Sequence, residues 1–362
     1  MLTLSDRKWK EFNFIDLFDI RKGFYNKKPS GSGYGRIPFL GATERNNGIT
    51  SFHTVDDIKQ SSKMGYGKNE SIDKKIFSGN CIAVTNDGSV GHAFYQKIPF
   101  TCSHSINPLY LINYELNEKI SLFLIRMIEM QRVCFQYSRK WRSERMEKSK
   151  ILLPRNEQGE PDWIFMENYI KQIENIQKEK YKAFALKKLE NLEYKEIPKL
   201  NEKTWKAFYF KDVFKSIQRG KRLKKDDHIL GDKPYISSTF ENNGIDGFVG
   251  NKDCKQFFNC LTIANSGSVG STFFHRYEFV ASDHVTSLKN DSFNEYIYLF
   301  IIPIINRLKD KYNFNREINS SRINRERLIL PTKFDQTPDY DYMEQYVKNI
   351  MYEQLKAYLE KC

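Results

Sequence analysis

Two matched sets of side chains in this chain are suited to gripping a polyanion. Arg21, Lys22, Tyr25, Lys27 and Lys28 are answered by Arg219, Lys221, Arg222, Lys224 and Lys225; Arg139, Lys140, Arg142 and Arg145 are answered by Arg316, Arg322 and Arg325. Cations interleaved with aromatics or amides hold phosphates and fix register, while a minority of Arg and Asn side chains read guanine or adenine edges. A solvated charged face is the plainer reading of each cluster. Smaller groups recur beside them. His104 and His284 sit at equivalent places, as base or phosphate contacts or as hydrogen-bonded structural residues. Ser89 and Ser268 lie in Gly-Ser-Val-Gly segments, whose backbone N–H groups suit either a small phosphate nest or a plain turn. Asn46-Asn47 and Asn242-Asn243 each precede a Gly and call for positive backbone dihedrals in a tight turn.

Enzymatic constellations are weaker. Asn107-Pro108-Leu109-Tyr110 is one residue from the Asn-Pro-Pro-Tyr loop of adenine methyltransferases, but no Phe-x-Gly-x-Gly cofactor loop accompanies it, and the second half has Thr286-Ser287-Leu288 there. A free-standing DNA adenine methyltransferase is the main alternative reading. Pro161-Asp162 with Glu193-Tyr194-Lys195 imitates a nuclease metal site, yet a single expected helix separates the two groups by roughly 45 Å. No Gly-Lys-Ser/Thr phosphate loop is present. Cys81, Cys102, Cys134, Cys254, Cys260 and Cys362 are scattered, with no zinc-site spacing, and read as reduced thiols.

The elements that position these residues come in two copies. At 362 residues, with 40% apolar and 14% aromatic content, the chain is long enough for two domains. Its 58 Lys and Arg against 45 Asp and Glu give a net charge of +13, pointing to nucleic acid or an acidic membrane surface, or else to a proteome rich in Lys, Asn and Ile. No apolar run reaches the roughly 18 residues of a membrane span and the N-terminus lacks a signal-peptide core, so a soluble cytoplasmic protein with no membrane partner is expected.

Trp9, Phe12, Phe14, Phe18 and Gly23 recur as Trp205, Phe208, Phe210, Phe214 and Gly220. Pro38 to Ile49 recurs as Pro234 to Ile245, placing a hairpin in each half, and Asn80 to Gly91 (NCIAVTNDGSVG) recurs as Asn259 to Gly270 (NCLTIANSGSVG). Residues 52–78 have no equal in the second half. Asn117 and Asn294 each open an apolar helix, and Pro303 is expected to kink the second. Asp162 to Ile173 (DWIFMENYIKQI) returns as Asp339 to Ile350 (DYDYMEQYVKNI), each with an Asp placed to accept from free N–H groups at a helix start.

From there Met166, Tyr169, Ile170, Ile173, Ile176, Tyr181 and Phe184 form one helical stripe, from which Leu189 and Leu192 drift. A helix of about 34 residues, roughly 50 Å long, is expected, and a second of about 25 from Pro338.

The reading is a duplicated α/β (α+β) chain: a first recognition domain over 1–160, a long spacer helix over 161–198, a second domain over 199–336 and a C-terminal spacer helix over 337–362. The two helices are expected to pack as an antiparallel pair with pseudo-twofold symmetry, which suits duplex DNA. W-x-x-F-x-F-x-D-[LV]-F, Asn-Asn-Gly-Ile and N-[DS]-G-S-V-G, followed by a Pro-ended strand and a long helix, twice over, resemble the DNA-specificity (S) subunits of restriction-modification systems. The likeness is to type IIB systems first and more distantly to type I. It implies two target recognition domains reading a bipartite site on double-stranded DNA, no catalysis and no cofactor in this chain. It also implies a DNA methyltransferase, or a fused nuclease-methyltransferase, as partner, bringing S-adenosylmethionine and magnesium. The shorter second helix departs from that pattern, so the pair is expected to be asymmetric or to lean on a partner.

Overall fold

The structure, a computed structural model, describes every residue except Ser32, Gln136, Tyr137, Phe314 and Cys362. The last of the six thiols therefore lies outside the described residues, and the other five are free. The chain divides into two compact units, Met1–Lys180 and Tyr181–Cys362.

The first unit contains β1 (Lys8–Asn13), α1 (Phe14–Leu17), β2 (Phe18–Ile20), β3 (Ile37–Leu40), β4 (Ile49–His53), α2 (Val55–Gln60), β5 (Cys81–Thr85), β6 (Ala93–Gln96), β7 (Thr101–Cys102), β8 (Ile106–Leu111), α3 (Glu118–Glu129), α4 (Ser143–Glu147), β9 (Lys150–Arg155) and the start of α5 (Trp163–Leu189). An antiparallel sheet in the order β2-β8-β5-β6 lies at its centre, with β5 buried along its whole length. A second sheet runs β4-β3-β7, and β1 pairs with β9. The hairpin expected at Asn46-Asn47-Gly48 joins β3 to β4, its three residues at φ 50°, 53° and 79°. Gly23 follows β2 because a Cβ there would stand 2.0 Å from the Ser103 carbonyl oxygen, a passage open only to glycine.

The second unit repeats this plan with β10 (Trp205–Tyr209), α6 (Phe210–Val213), β11 (Ser216–Arg219), β12 (Leu230–Ile236), β13 (Ile245–Val249), β14 (Gln256–Phe257), β15 (Cys260–Ala264), β16 (Thr272–His275), β17 (Phe279–Ala281), β18 (Val285–Lys289), α7 (Glu295–Asn306), α8 (Ser320–Ile323), β19 (Arg327–Pro331) and α9 (Tyr340–Leu359). Its sheets run β11-β18-β15-β16, β13-β12-β17-β14 and β10-β19. α3 and α7 are both twelve residues long and are opened by Asn117 and Asn294, each accepting from two N–H groups of the first turn. α7 runs through Pro303 at full length, although proline removes one of its internal bonds.

In each unit a cation ties β1 or β10 to the start of the following long helix. Arg7 lies 2.7 Å from Asp162 with its guanidinium 4.9 Å over Phe165, and Lys203 lies 2.7 Å from Asp339 with its ammonium 4.9 Å over Tyr342. The same two carboxylates cap the helices, accepting from the N–H of Phe165 and of Tyr342.

α5 is shorter than its pattern suggests, ending at Leu189 after 27 residues, or about 40 Å. The apolar stripe is buried only where it meets the first unit, at Met166, while Ile173, Tyr181 and Phe184 remain between 36 and 55% exposed. The residues that leave the stripe pack instead: Ala185 and Leu192 are buried with Leu355, and Leu189 is packed against them. The chain then runs extended from about residue 192 because α9 takes its backbone, Asn349 bonding both the N–H and the carbonyl of Lys195. Tyr181 meets Tyr358, Tyr194 meets Tyr352 and Pro198 accepts from Tyr342, so within this unit α9 runs antiparallel to the segment 181–198. α9 itself spans 20 residues, not about 25. No helix among the described residues is long and apolar enough to cross a membrane.

Candidate nucleic-acid interface

The segments carrying the expected contacts meet at one buried asparagine in each unit. Asn86 ends β5 and is 6% exposed. Its N–H donates to Ser105, its amide donates to the His104 carbonyl at 3.1 Å and to Asn107 Oδ1 at 2.6 Å, and its own carbonyl accepts from the Trp141 N–H at 3.1 Å. Asn107 passes the connection on, its amide donating to the Arg21 carbonyl at 2.8 Å. The Arg21 segment, His104, the loop after β5 and the 139–145 stretch are thus held together by one residue, through its main chain and its side chain, and by its neighbour Asn107.

Asn265 joins the matching strand, the His284 turn and the 316–325 stretch in the second unit, without the side-chain link to the Arg219 segment. Its N–H donates to the His284 carbonyl, its Oδ1 accepts from Thr286, and its carbonyl accepts from the Ile318 N–H at 3.0 Å. Buried amides hold such positions because leaving either partner unpaired costs more than the bond itself contributes. The sequence offered a signal for these hubs, the Asn shared by NDGSVG and NSGSVG, but its spacing alone reads as a turn.

Around each hub the Arg side chains are arranged alike. Arg139 stacks 5.5 Å over Phe135 and Arg316 5.3 Å over Tyr312; Arg145 donates to the Lys140 carbonyl and Arg322 to the Glu317 carbonyl. Arg142 and Arg325 are exposed beside them. Lys140 differs, forming an ion pair with Asp87 at 2.5 Å. Burial pushes the Asp87 carboxyl up, but the bonds from Lys140 and from the Gly88 N–H outweigh it and hold that carboxyl below its ordinary range. Arg21 lies 4.2 Å over Tyr110 and pairs with Asp19, while Arg219 donates to the Asp283 carbonyl. Lys22, Lys27, Lys28, Lys221, Arg222 and Lys224 are exposed next to these strands. His104 and His284 are exposed, with Nδ1 on the Tyr25 carbonyl oxygen and the Ser266 hydroxyl respectively, but contrary to expectation they are not equivalent: His284 stands where Ser105 does, its carbonyl accepting from the Asn265 N–H as that of Ser105 accepts from Asn86, and His104 is matched by Asp283.

Three further expectations are corrected. Tyr25 is wholly buried, its hydroxyl donating to the Ile58 carbonyl, so it is core and not a contact. The Gly-Ser-Val-Gly segments holding Ser89 and Ser268 are turns, and most of the N–H groups a phosphate nest would need are already taken. Gly88 donates to Asp87, Val90 to Gly88, Gly91 to Thr85, Ser268 to Ser238 and Gly270 to Ala264. Asn47 and Asn243 turn their amides back onto the carbonyls of Tyr95 and Phe274, which secures the hairpins; Asn46 and Asn242 beside them stay exposed.

The enzymatic imitations dissolve in the same way. Asn107 and Pro108 lie within β8 and serve the hub. Asp162 is consumed as a helix cap, and Glu193 pairs with Lys195 at 3.0 Å. Among the described residues no group of three or more His, Cys, Asp or Glu is placed to hold a metal.

The profile of the family described as the type I restriction modification DNA specificity domain matches residues 6–183 and again 202–361, once for each copy of the α/β framework. The chain belongs to that family. It is a non-catalytic specificity subunit of a restriction-modification system. It is 31% identical over 348 residues to the specificity subunit S.BcgI of the type II restriction enzyme BgcI from Heyndrickxia coagulans, covering 94% of each chain. In fold, the specificity subunit is similar to the S subunit of a type I restriction-modification system from M. genitalium, with a TM-score of 0.50 and 17% identity over 99% of this chain and 94% of that one.

Proposed function

We propose that each unit of this specificity subunit reads one half of a bipartite site on double-stranded DNA. The observation that carries the reading is the duplicated hub, which sets the same Arg pair over the same loop in both units. Arg139, Arg142 and Arg145, with Arg316, Arg322 and Arg325, hold phosphates, while loop side chains that differ between the units read bases. This places the chain in the cytoplasm, where its DNA lies.

The partner is a DNA methyltransferase subunit, alone or fused to a nuclease. It brings S-adenosylmethionine and magnesium, and this chain supplies neither. A second repeated feature supports a docking surface for it. Leu4 and Leu200, Leu152 and Ile329, and Ile173 and Ile350 occupy matched positions and stay between 36 and 55% exposed. In the second unit they border an apolar groove of about 670 Å³ floored by Trp205, Phe300, Ile304 and Val347 and rimmed by Arg307 and Lys311. Apolar side chains kept on the surface in both copies suit the same partner surface met twice.

The test is an exchange. Replacing residues 1–155 with the same region of a relative, within the assembled complex, is expected to change one half of the methylated sequence and leave the other intact. A change in both halves would show that the units do not read independently.

A further inference from the structure

The units agree at the hub and part at the pocket beside it. In the first unit a cavity of about 800 Å³ opens between the 88–90 loop, the end of α3 and the turn before β4. His92, almost buried, stands between two carboxylates, with Nε2 3.5 Å from Glu44 and Nδ1 3.9 Å from Glu129. Glu129 is fixed, since it accepts from the Ala93 N–H at 3.3 Å. Arg132 runs its stem along Gly91, where a Cβ would come within 2.6 Å of its Cγ, and it lines the pocket. Glu44 and Arg132 are exposed.

At the same positions the second unit has Phe240 for Glu44, Ser271 for His92, Lys309 for Arg132 and Asn306 for Glu129. Asn306 keeps the structural bond, accepting from the Thr272 N–H at 3.2 Å, so the framework and the cation are retained while both carboxylates and the imidazole are removed. Two readers built on one scaffold must show this division.

We infer that this pocket is the base-reading site of the first unit and that it takes a G·C pair, Arg132 donating to guanine O6 and N7 and Glu44 accepting from the cytosine amino group. The inference rests on the half-site reading above. Phosphate is the poorer occupant, because the two cations lining the pocket, Arg126 and Arg132, are offset by the carboxylates of Glu44 and Glu129. A cation and a carboxylate bordering one pocket match the acceptor and donor edges of that base pair in the major groove. His92 acts as a positioning residue, holding Glu44 toward the mouth from the fixed Glu129.

The experiment selects bound duplexes from a randomised pool with the full chain in complex with its partner, comparing wild type, Glu44→Gln, Arg132→Lys and His92→Ser. Glu44 and Arg132 are on the surface, and serine is what the second unit carries at the position of the almost buried His92, so these variants keep the fold. Wild type is expected to demand G·C at one position of the half-site that residues 1–155 govern. Glu44→Gln and Arg132→Lys are expected to relax that position by about 10- to 100-fold. His92→Ser should relax it by less, and the other half-site should be unaffected. If both rim variants select the wild-type sequence at every position, the pocket is not a reader. If wild type itself selects no sequence, the half-site reading falls, and this inference with it.

Discussion

Asn86 is answered by Asn265, Trp141 by Ile318 and Phe135 by Tyr312, each preserving a bond or a packed face, whereas the exposed Glu44 and Arg45 become Phe240 and Glu241 on the same backbone. A buried donor or acceptor has few acceptable replacements, because any change strands its partners. A rim side chain in solvent can change charge at almost no cost to folding. The contrast separates what builds a recognition unit from what makes the two units differ.

The groove provides the sharpest way to test what the units have in common. Leu152→Lys and Ile329→Lys each place an ammonium against an apolar partner surface. Each is expected to weaken assembly with the partner subunit by hundreds of times, about 3 kcal/mol or more, as read by titration of the complex. Unequal effects would mean that the two matched apolar surfaces are not equivalent, and full assembly by both variants would rule them out as docking surfaces.

The hubs come next. The main-chain bonds survive in both variants, so Asn86→Leu strands the His104 carbonyl and the Asn107 amide oxygen and is expected to cost about 3 kcal/mol in chemical denaturation, while Asn265→Leu strands only the Thr286 hydroxyl and is expected to cost about 1 kcal/mol, each confined to the unit that carries the change. Recognition of the corresponding half-site should fail while the other is still read. A variant that keeps both its stability and its half-site would show that the hub gathers nothing of consequence.

A smaller contrast lies in acid. His275 is buried between Thr262 and Tyr277, where the first unit has Gln96, and burial pushes its imidazole down to about 4. The folded unit therefore keeps it neutral, while below about pH 6.5 the unfolded chain binds a proton that the folded one refuses. Stability should fall as the pH drops from about 6.5 to 4, by on the order of 3 kcal/mol, and His275→Gln should remove that part of the acid sensitivity. An identical pH profile for the variant would mean that His275 is not the group responsible.

Much of the architecture could be read directly from the residues, for stated reasons. The hairpins follow from Asn-Asn-Gly, whose positive dihedrals few other sequences accept, and the helix starts follow from Asn117, Asn294, Asp162 and Asp339, which cap by local bonds. The duplication follows from order alone. The basic clusters around Arg139 and Arg316 were visible because charge type and sequence position are local facts.

Tyr25 was misjudged because a tyrosine among lysines has the same composition whether its ring faces solvent or, as here, the core beside Phe39. The Gly-Ser-Val-Gly segments were ambiguous because a nest and a turn differ only in which carbonyls come close.

What the sequence by itself determined was therefore the repeat, the fold class, the element ends fixed by caps and turns, and a basic surface present in two copies. What only the tertiary structure decided was where α5 stops, which amide gathers the basic segments, and which rim residues share a pocket. Those depend on contacts between residues far apart in the chain. Leu192 abandons a helix for burial against Leu355, and Asn86 reaches His104, Asn107 and Trp141 only after three separate strands and loops have closed around it.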